Sequence, residues 1–227
     1  MSEQKPDTQT MQTRRSLLKM SIGASIIPVF GAALPGKASA AGLFTPPQTE
    51  GPFYPVTPQA DKDIDLTIIE GKTEHAKGDV IYVRGRVLDT EGNILDNAFV
   101  EIWQANTYGR YRHPRDPNNA PLDPNFQGWG QTYSDEKGYY GFKTILPGAY
   151  PAGPGWTRPP HIHFKAAKEY FFPLTTQMYF PEQELNQSDF ILQHLSKPQQ
   201  QMVIARRQAD ENKIPVFVFD IVLRRAV

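Results

Sequence analysis

Two stretches of this chain share one design: a short β-branched or aromatic run, a turn, and a second short run. Val80-Ile-Tyr-Val-Arg-Gly-Arg-Val-Leu88 leads through Asp89-Thr-Glu-Gly-Asn93 to Ala98-Phe-Val-Glu-Ile-Trp-Gln104. Gln131-Thr-Tyr-Ser134 leads through Asp135-Glu-Lys-Gly138 to Tyr139-Tyr-Gly-Phe-Lys-Thr-Ile145. Such runs suit a pleated, half-buried surface, and the Gly, Asp and Asn between them suit tight turns. In the second run Phe99, Glu101 and Trp103 share one face, and Val100, Ile102 and Gln104 the other. Further strands are predicted at His161–Ala166, Thr175–Phe180 and Val216–Leu223. The pattern implies an all-β fold, mainly an antiparallel β-sandwich with long loops and one or two short helices. One helix is predicted over Ser188–Leu195, with Ser188 as its cap. Asn106–Gly130 carries neither pattern, and a loop that long in a compact domain is more often functional than idle.

Residues 1–40 read as a targeting segment. Thr13-Arg14-Arg15-Ser16-Leu17-Leu18-Lys19 is a twin-arginine pattern; a moderately apolar stretch from Met20 to Leu34 and the small-residue site Ala38-Ser39-Ala40 follow. The apolar stretch is too short and too rich in Gly and Ala to hold a membrane span, so stable membrane insertion is not expected. The expectation is export by the twin-arginine route, to the periplasm or outside the cell. That route generally carries folded proteins, which suits a protein that takes its metal before crossing. Residues 41–227 are then one domain, opening on an extended Pro-rich arm over 41–60.

Removing the five basic and two acidic residues of 1–40 reduces 24 Lys/Arg and 24 Asp/Glu to 19 and 22, a net charge of about −3. No strong field favours nucleic acid or an anionic membrane. Cysteine is absent. Disulfides, thiolate zinc sites and iron–sulfur clusters are therefore excluded, and any metal must rest on N and O donors.

Of five histidines, two stand one residue apart in Gly155-Trp-Thr-Arg-Pro-Pro-His-Ile-His-Phe164. On a strand His161 and His163 leave the same face, about 7 Å apart along the backbone, a spacing that suits one metal ion. Pro159 and Pro160 keep the approach out of helix. A bare His-x-His pair is weak by itself, since solvated strand histidines look the same. Two further sites strengthen it: Gly109-Arg-Tyr-Arg-His113 in the long loop and Pro147-Gly-Ala-Tyr-Pro151 before the histidine strand.

With these residues the chain resembles the intradiol ring-cleavage dioxygenases, which open catechols using non-haem ferric iron. The resemblance begins at Thr49-Glu-Gly-Pro-Phe-Tyr54 and continues through Gly85-Arg-Val-Leu-Asp89, Trp103-Gln-Ala-Asn106 and Ala120-Pro-Leu-Asp-Pro-Asn-Phe126. It runs on through Arg158-Pro-Pro-His-Ile-His-Phe164 to Thr176-Gln-Met-Tyr-Phe180. It implies Tyr111, Tyr150, His161 and His163 as ligands of Fe(III), and all four positions hold the required residue type. Family members with a catalytic and a non-catalytic subunit keep the full set only in the catalytic one, so this chain reads as catalytic. The chemistry agrees: a small trivalent cation prefers anionic oxygen, and a phenol ionises readily on such a cation.

The resemblance further implies a small aromatic diol and O2 as reactants and a cis,cis-muconate-type diacid as product. Tyr150, by analogy, takes a catechol proton, although the sequence alone does not separate its role from that of Tyr111. Arg158 is expected to stabilise charge on the ring carbon that O2 attacks; the alternative is a surface arginine paired with a carboxylate. Gln177 matches a pocket glutamine of the family; the alternative is an amide on the strand ladder. Trp129, Trp156 and Tyr54 are candidates for an aromatic slot or for plain packing. His75, His113 and His194 are assigned no chemistry.

Two departures matter. The Tyr150-to-His161 interval is slightly shorter than in protocatechuate enzymes, and the N-terminal helical dimerisation segment of the catechol enzymes is missing. The chain is thus closer to protocatechuate-type subunits. Family members usually assemble, so a homo-oligomer is expected, with the Pro-rich arm able to reach a neighbour. A cupin is a poor rival, because Glu169 lies too far along and no glycine follows Gly155. Gly85–Leu95 also resembles the first hairpin of transthyretin-like and carboxypeptidase-associated binding modules, but such a module leaves the two tyrosines and two histidines unexplained.

Overall fold

Strand β1 (Val80–Asp89) alternates half-buried and buried residues along its length, as a strand with one face on a core must. Its one edge pairs antiparallel with β4 (Tyr139–Ile145). On the other edge β10 (Ile214–Val218) runs parallel to it, and β11 (Ile221–Leu223) pairs parallel with its C-terminal end. Strand β9 (Arg206–Glu211) extends this sheet beyond β10. The second sheet is antiparallel throughout, in the order β3–β2–β7–β8: β2 is Phe99–Trp103, β3 Trp129–Tyr133, β7 His161–Ala167 and β8 Leu174–Tyr179. Ile81, Val83, Val87 and Phe142 from the first sheet meet Val100, Ile102, Ile162, Phe164 and Met178 from the second in one buried cluster. Each such side chain contributes roughly 1.5–3 kcal/mol on burial. The fold is the expected all-β sandwich.

This computed structural model describes residues 43–57, 59 and 61–226, so the twin-arginine segment expected over 1–40 lies outside the described residues. Among the described residues no helix is long and apolar enough to cross a membrane.

The structure departs from the sequence reading in four places. The predicted strand Val216–Leu223 is two strands, because the chain bulges at Phe219 and Asp220 to pass over Gly85. A Cβ on Gly85 would lie 1.8 Å from the Phe219 carbonyl oxygen, so only glycine permits that approach. Strand β9 and the hairpin of β5 (Tyr150–Gly153) and β6 (Trp156–Arg158) were not predicted. Helix α1 spans only Phe190–Gln193, and its cap is Asp189 rather than Ser188. Helix α2 (Lys197–Val203) follows, with Gln199 Oε1 accepting from Ser196 N at 3.0 Å.

The described part of the N-terminal arm, residues 43–57, makes backbone hydrogen bonds to its own chain. Strand β8 is a sheet edge with unpaired backbone groups. The arm covers it: Gln48 N donates to Thr175 O at 2.9 Å, while nearer its start Thr45 N donates to Val222 O on β11 at 3.0 Å.

Candidate active site

The outer face of the β3–β2–β7–β8 sheet, turned away from the sandwich core, carries the histidines. Cross-strand register aligns Trp103 with His163, His163 with Gln177, and His161 with Tyr179, so these side chains share that face. Ile162 and Phe164 alternate into the core. Strand β7 is nonetheless buried on both faces at its start, because the arm, the long loop and the β5–β6 hairpin cover the outer one.

Tyr111 arrives from the long loop, which side-chain hydrogen bonds hold in shape. Asn106 Oδ1 accepts from Tyr108 N at 2.9 Å and from Arg110 N at 3.0 Å, and Asp116 Oδ2 accepts from Tyr111 N at 2.7 Å. Tyr150 arrives at the first residue of β5 and pairs in register with Arg158 on β6. All four predicted donors meet. Tyr111 Oη lies 3.1 Å from His163 Nε2 and 3.5 Å from His161 Nε2, and Tyr150 Oη lies 3.4 Å from His161 Nε2. Donors about 2.1 Å from one common centre, at 90–120° to each other, are roughly 3.0–3.6 Å apart. The observed spacings fall in that window.

His161 Nδ1–H donates to Pro159 O at 2.7 Å, which points its Nε2 lone pair into the cluster. The proline pair thus fixes the imidazole as well as the backbone. Burial disfavours charge here. His161 is held well below the ordinary imidazole range and His163 falls to about 3, in both cases by burial first and then by the Arg158 charge. Burial likewise raises the phenols of Tyr111 and Tyr150, with Arg158 pulling back on Tyr150. Without a cation the four groups are neutral; a bound cation would draw the phenolic protons off. Among the described residues no three His, Asp or Glu side chains gather closely enough to hold a metal. A metal here must therefore lean on phenolic oxygen.

Arg158 is no surface arginine. It is 3% exposed and its Nε donates to Asp189 Oδ2 at 2.6 Å, while Nη2 donates to Gln177 Oε1 at 2.7 Å and to Tyr179 Oη at 3.1 Å. Gln177 sits on the ladder beside His163, and its amide holds Arg158 on one side and donates to Thr49 O at 2.9 Å on the other. Its side-chain hydrogen bonds run to the arginine, the Tyr179 hydroxyl and the arm, not to the four donors.

The aromatic candidates divide. Tyr54 and Trp129 pack behind Trp103 and donate to the buried carboxylate of Glu101, at 3.1 and 2.7 Å. Trp156 instead stands beside Arg158, its ring 5.2 Å from that of Phe190. Of the other histidines, His75 and His194 are exposed, and buried His113 accepts from Arg115 N at 3.1 Å. Sequence reasoning did not assign Trp103, stacked on His163 at 4.8 Å, or Phe53, 5.0 Å from the Tyr111 ring. Both lie in motifs quoted above, which was the available signal. Asp189 had no such signal. A small cleft opens beside Tyr111, between Phe53, Trp103, Arg110 and Phe126. Tyr150, His161 and His163 do not line it.

Residues 49–225 match the pattern of the family described as Dioxygenase. The chain belongs to this dioxygenase family. The protocatechuate 3,4-dioxygenase beta chain of Burkholderia cepacia is 44% identical over 179 residues, 76% of each chain. A catechol 1,2-dioxygenase of Candida albicans is 31% identical over 159 residues, 62% of this chain and 48% of that one, so the dioxygenase spans about half the length of that relative. Among solved structures, the dioxygenase domain of a carbohydrate-binding fusion protein from Streptomyces sp. SirexAA-E superposes with a TM-score of 0.60 at 26% identity. The match covers 80% of this chain and 99% of that one. The dioxygenase is an oxidoreductase of the intradiol ring-cleaving class, and the binding-module alternative is set aside.

Proposed function

We propose that this dioxygenase uses non-haem Fe(III), held by Tyr111, Tyr150, His161 and His163, to cleave a protocatechuate-like catechol between its hydroxylated carbons. Both atoms of O2 would enter a muconate-type diacid. The observation that carries the reading is the convergence of two phenolic oxygens and two imidazole nitrogens at 3.1–3.5 Å. Two phenolates and neutral imidazoles fit a small trivalent cation. When bound, the iron supplies the charge that ionises the diol and couples it electronically to O2.

The protein's own groups would do the rest. Tyr150 Oη takes one catechol proton: it stands at the root of a hairpin whose residues 151–155 are exposed, whereas Tyr111 is tied down by Asp116. Arg158 stabilises negative charge on the ring carbon as O2 adds. Phe53 and Trp103 exclude water from the donors. The 44% identity to a protocatechuate enzyme subunit favours a carboxylated ring. We further propose that residues 1–40 direct twin-arginine export to the periplasm or beyond, and that the mature chain forms a homo-oligomer.

The test is O2 uptake and ultraviolet product absorbance with iron-loaded protein and a panel of protocatechuate, catechol, hydroxyquinol and chlorocatechol. Intradiol diacid formation, fastest with protocatechuate, is expected. No uptake by iron-replete protein, or a yellow product of cleavage outside the diol, would refute the proposal. Replacing Arg14 and Arg15 with Lys should retain the protein in the cytoplasm; unchanged export would refute the signal.

A further inference from the structure

Asp189 is fully buried and its two carboxylate oxygens serve different partners. Oδ2 accepts from Arg158 Nε at 2.6 Å, and Oδ1 accepts from Leu192 N at 2.8 Å, capping α1. The arginine side chain is 4% exposed and the aspartate side chain 0%. A guanidinium is a planar fork of five donors. Asp189, Gln177 and Tyr179 engage Nε and Nη2, while Nη1 makes no hydrogen bond among the described residues. The plane of the fork is therefore set from one edge, and the opposite edge is left to act.

We infer that Asp189 is a positioning residue for ring cleavage, holding the Arg158 guanidinium at the angle its charge-stabilising role requires. The inference rests on the reading of Arg158 given above. Gln177 and Tyr179 alone accept from a single nitrogen, about which the fork still pivots; the bond at Nε adds the second point that fixes the plane. Asp189 cannot follow the arginine if it drifts, because the α1 backbone holds its other oxygen. Both oxygens must accept, and an amide can accept with only one. Asp189→Asn therefore leaves either the cap or the arginine facing a donor. Misplacement of a reacting group by about 1 Å can cost about 10²-fold in rate.

The experiment compares Asp189→Asn, Asp189→Glu, Arg158→Ala and the Asp189→Asn/Arg158→Ala double variant, all iron-loaded. Readouts are iron content, the visible band, anaerobic catechol affinity and kcat. Asp189→Asn should keep iron, band and affinity within about threefold, while kcat falls about 10- to 100-fold. Arg158→Ala should fall at least as far, and the double variant no further than Arg158→Ala. Asp189→Glu keeps the charge but moves the oxygens by one methylene, so it should fold and show an intermediate kcat. A wild-type kcat in either single Asp189 variant beside an inactive Arg158→Ala would overturn the positioning role. So would additive losses in the double variant. A near-normal rate in Arg158→Ala would instead overturn the reading of Arg158 itself.

Discussion

Gly51 lies in the arm with φ +72°, and a Cβ built on it would meet His163 Cε1 at 3.3 Å. Gly51→Ala therefore combines two effects. An L-residue in the left-handed region costs about 1–2 kcal/mol. The new methyl also presses on the carbon between the two ring nitrogens, so His163 or the arm must give by a few tenths of an ångström. Gly71 separates the two effects: its φ is +80°, with nothing within 4 Å of its Cβ position. Gly71→Ala carries only the backbone cost. Both variants should lower the unfolding midpoint of the metal-free protein by about 2–8 °C. Only Gly51→Ala should weaken iron binding, by about tenfold, the usual scale for disturbing a group that supports a ligand. The assay is thermal unfolding of metal-free protein together with chelator competition followed through the visible band. Equal iron affinity in the two alanine variants would refute the reasoning that a methyl at Gly51 disturbs His163.

Other predictions follow from the same geometry. Tyr150→Phe should weaken or bleach the visible band and slow turnover; an unchanged spectrum counts against Tyr150 as a ligand. Glu101→Ala strands Trp129 Nε1, Gln131 Nε2 and the Tyr54 hydroxyl, which the carboxylate now accepts from at 2.7, 2.7 and 3.1 Å. It should cost about 3 kcal/mol in urea denaturation while leaving the visible band in place; a loss under about 1 kcal/mol would contradict this. In metal-free protein His161 and His163 resist protonation when folded, but the unfolded chain takes protons up near pH 6.5. Their contribution is whole above that pH and is lost as pH falls below it, for His163 down to about 3, at up to about 1.4 kcal/mol per pH unit per histidine. A urea midpoint that stays flat between pH 7 and pH 5 would contradict the burial of these rings.

The outer face of β7 was legible because a strand has period two. His161 and His163 alternate with Ile162 and Phe164, and both sides of that alternation stand as expected. The parallel pairing of β1 with β10 and β11 was not legible, since local pattern does not say which distant strand becomes a neighbour. Strand β9 reads Arg-Arg-Gln-Ala-Asp-Glu, a charged edge with no apolar alternation to betray it. Ser188 and Asp189 are equally good caps locally; what selects Asp189 is Arg158, separated from it by 31 positions. The Pro-rich arm announced its extended shape, but its seat on the β8 edge depends on backbone groups that composition does not display.

The most direct measurement is the iron content and visible absorption of the purified protein after loading with ferric iron. The account predicts about one iron per chain and a broad visible tyrosinate band that Tyr111→Phe and Tyr150→Phe each diminish. Protein that binds no iron, or binds it without colour, would contradict it.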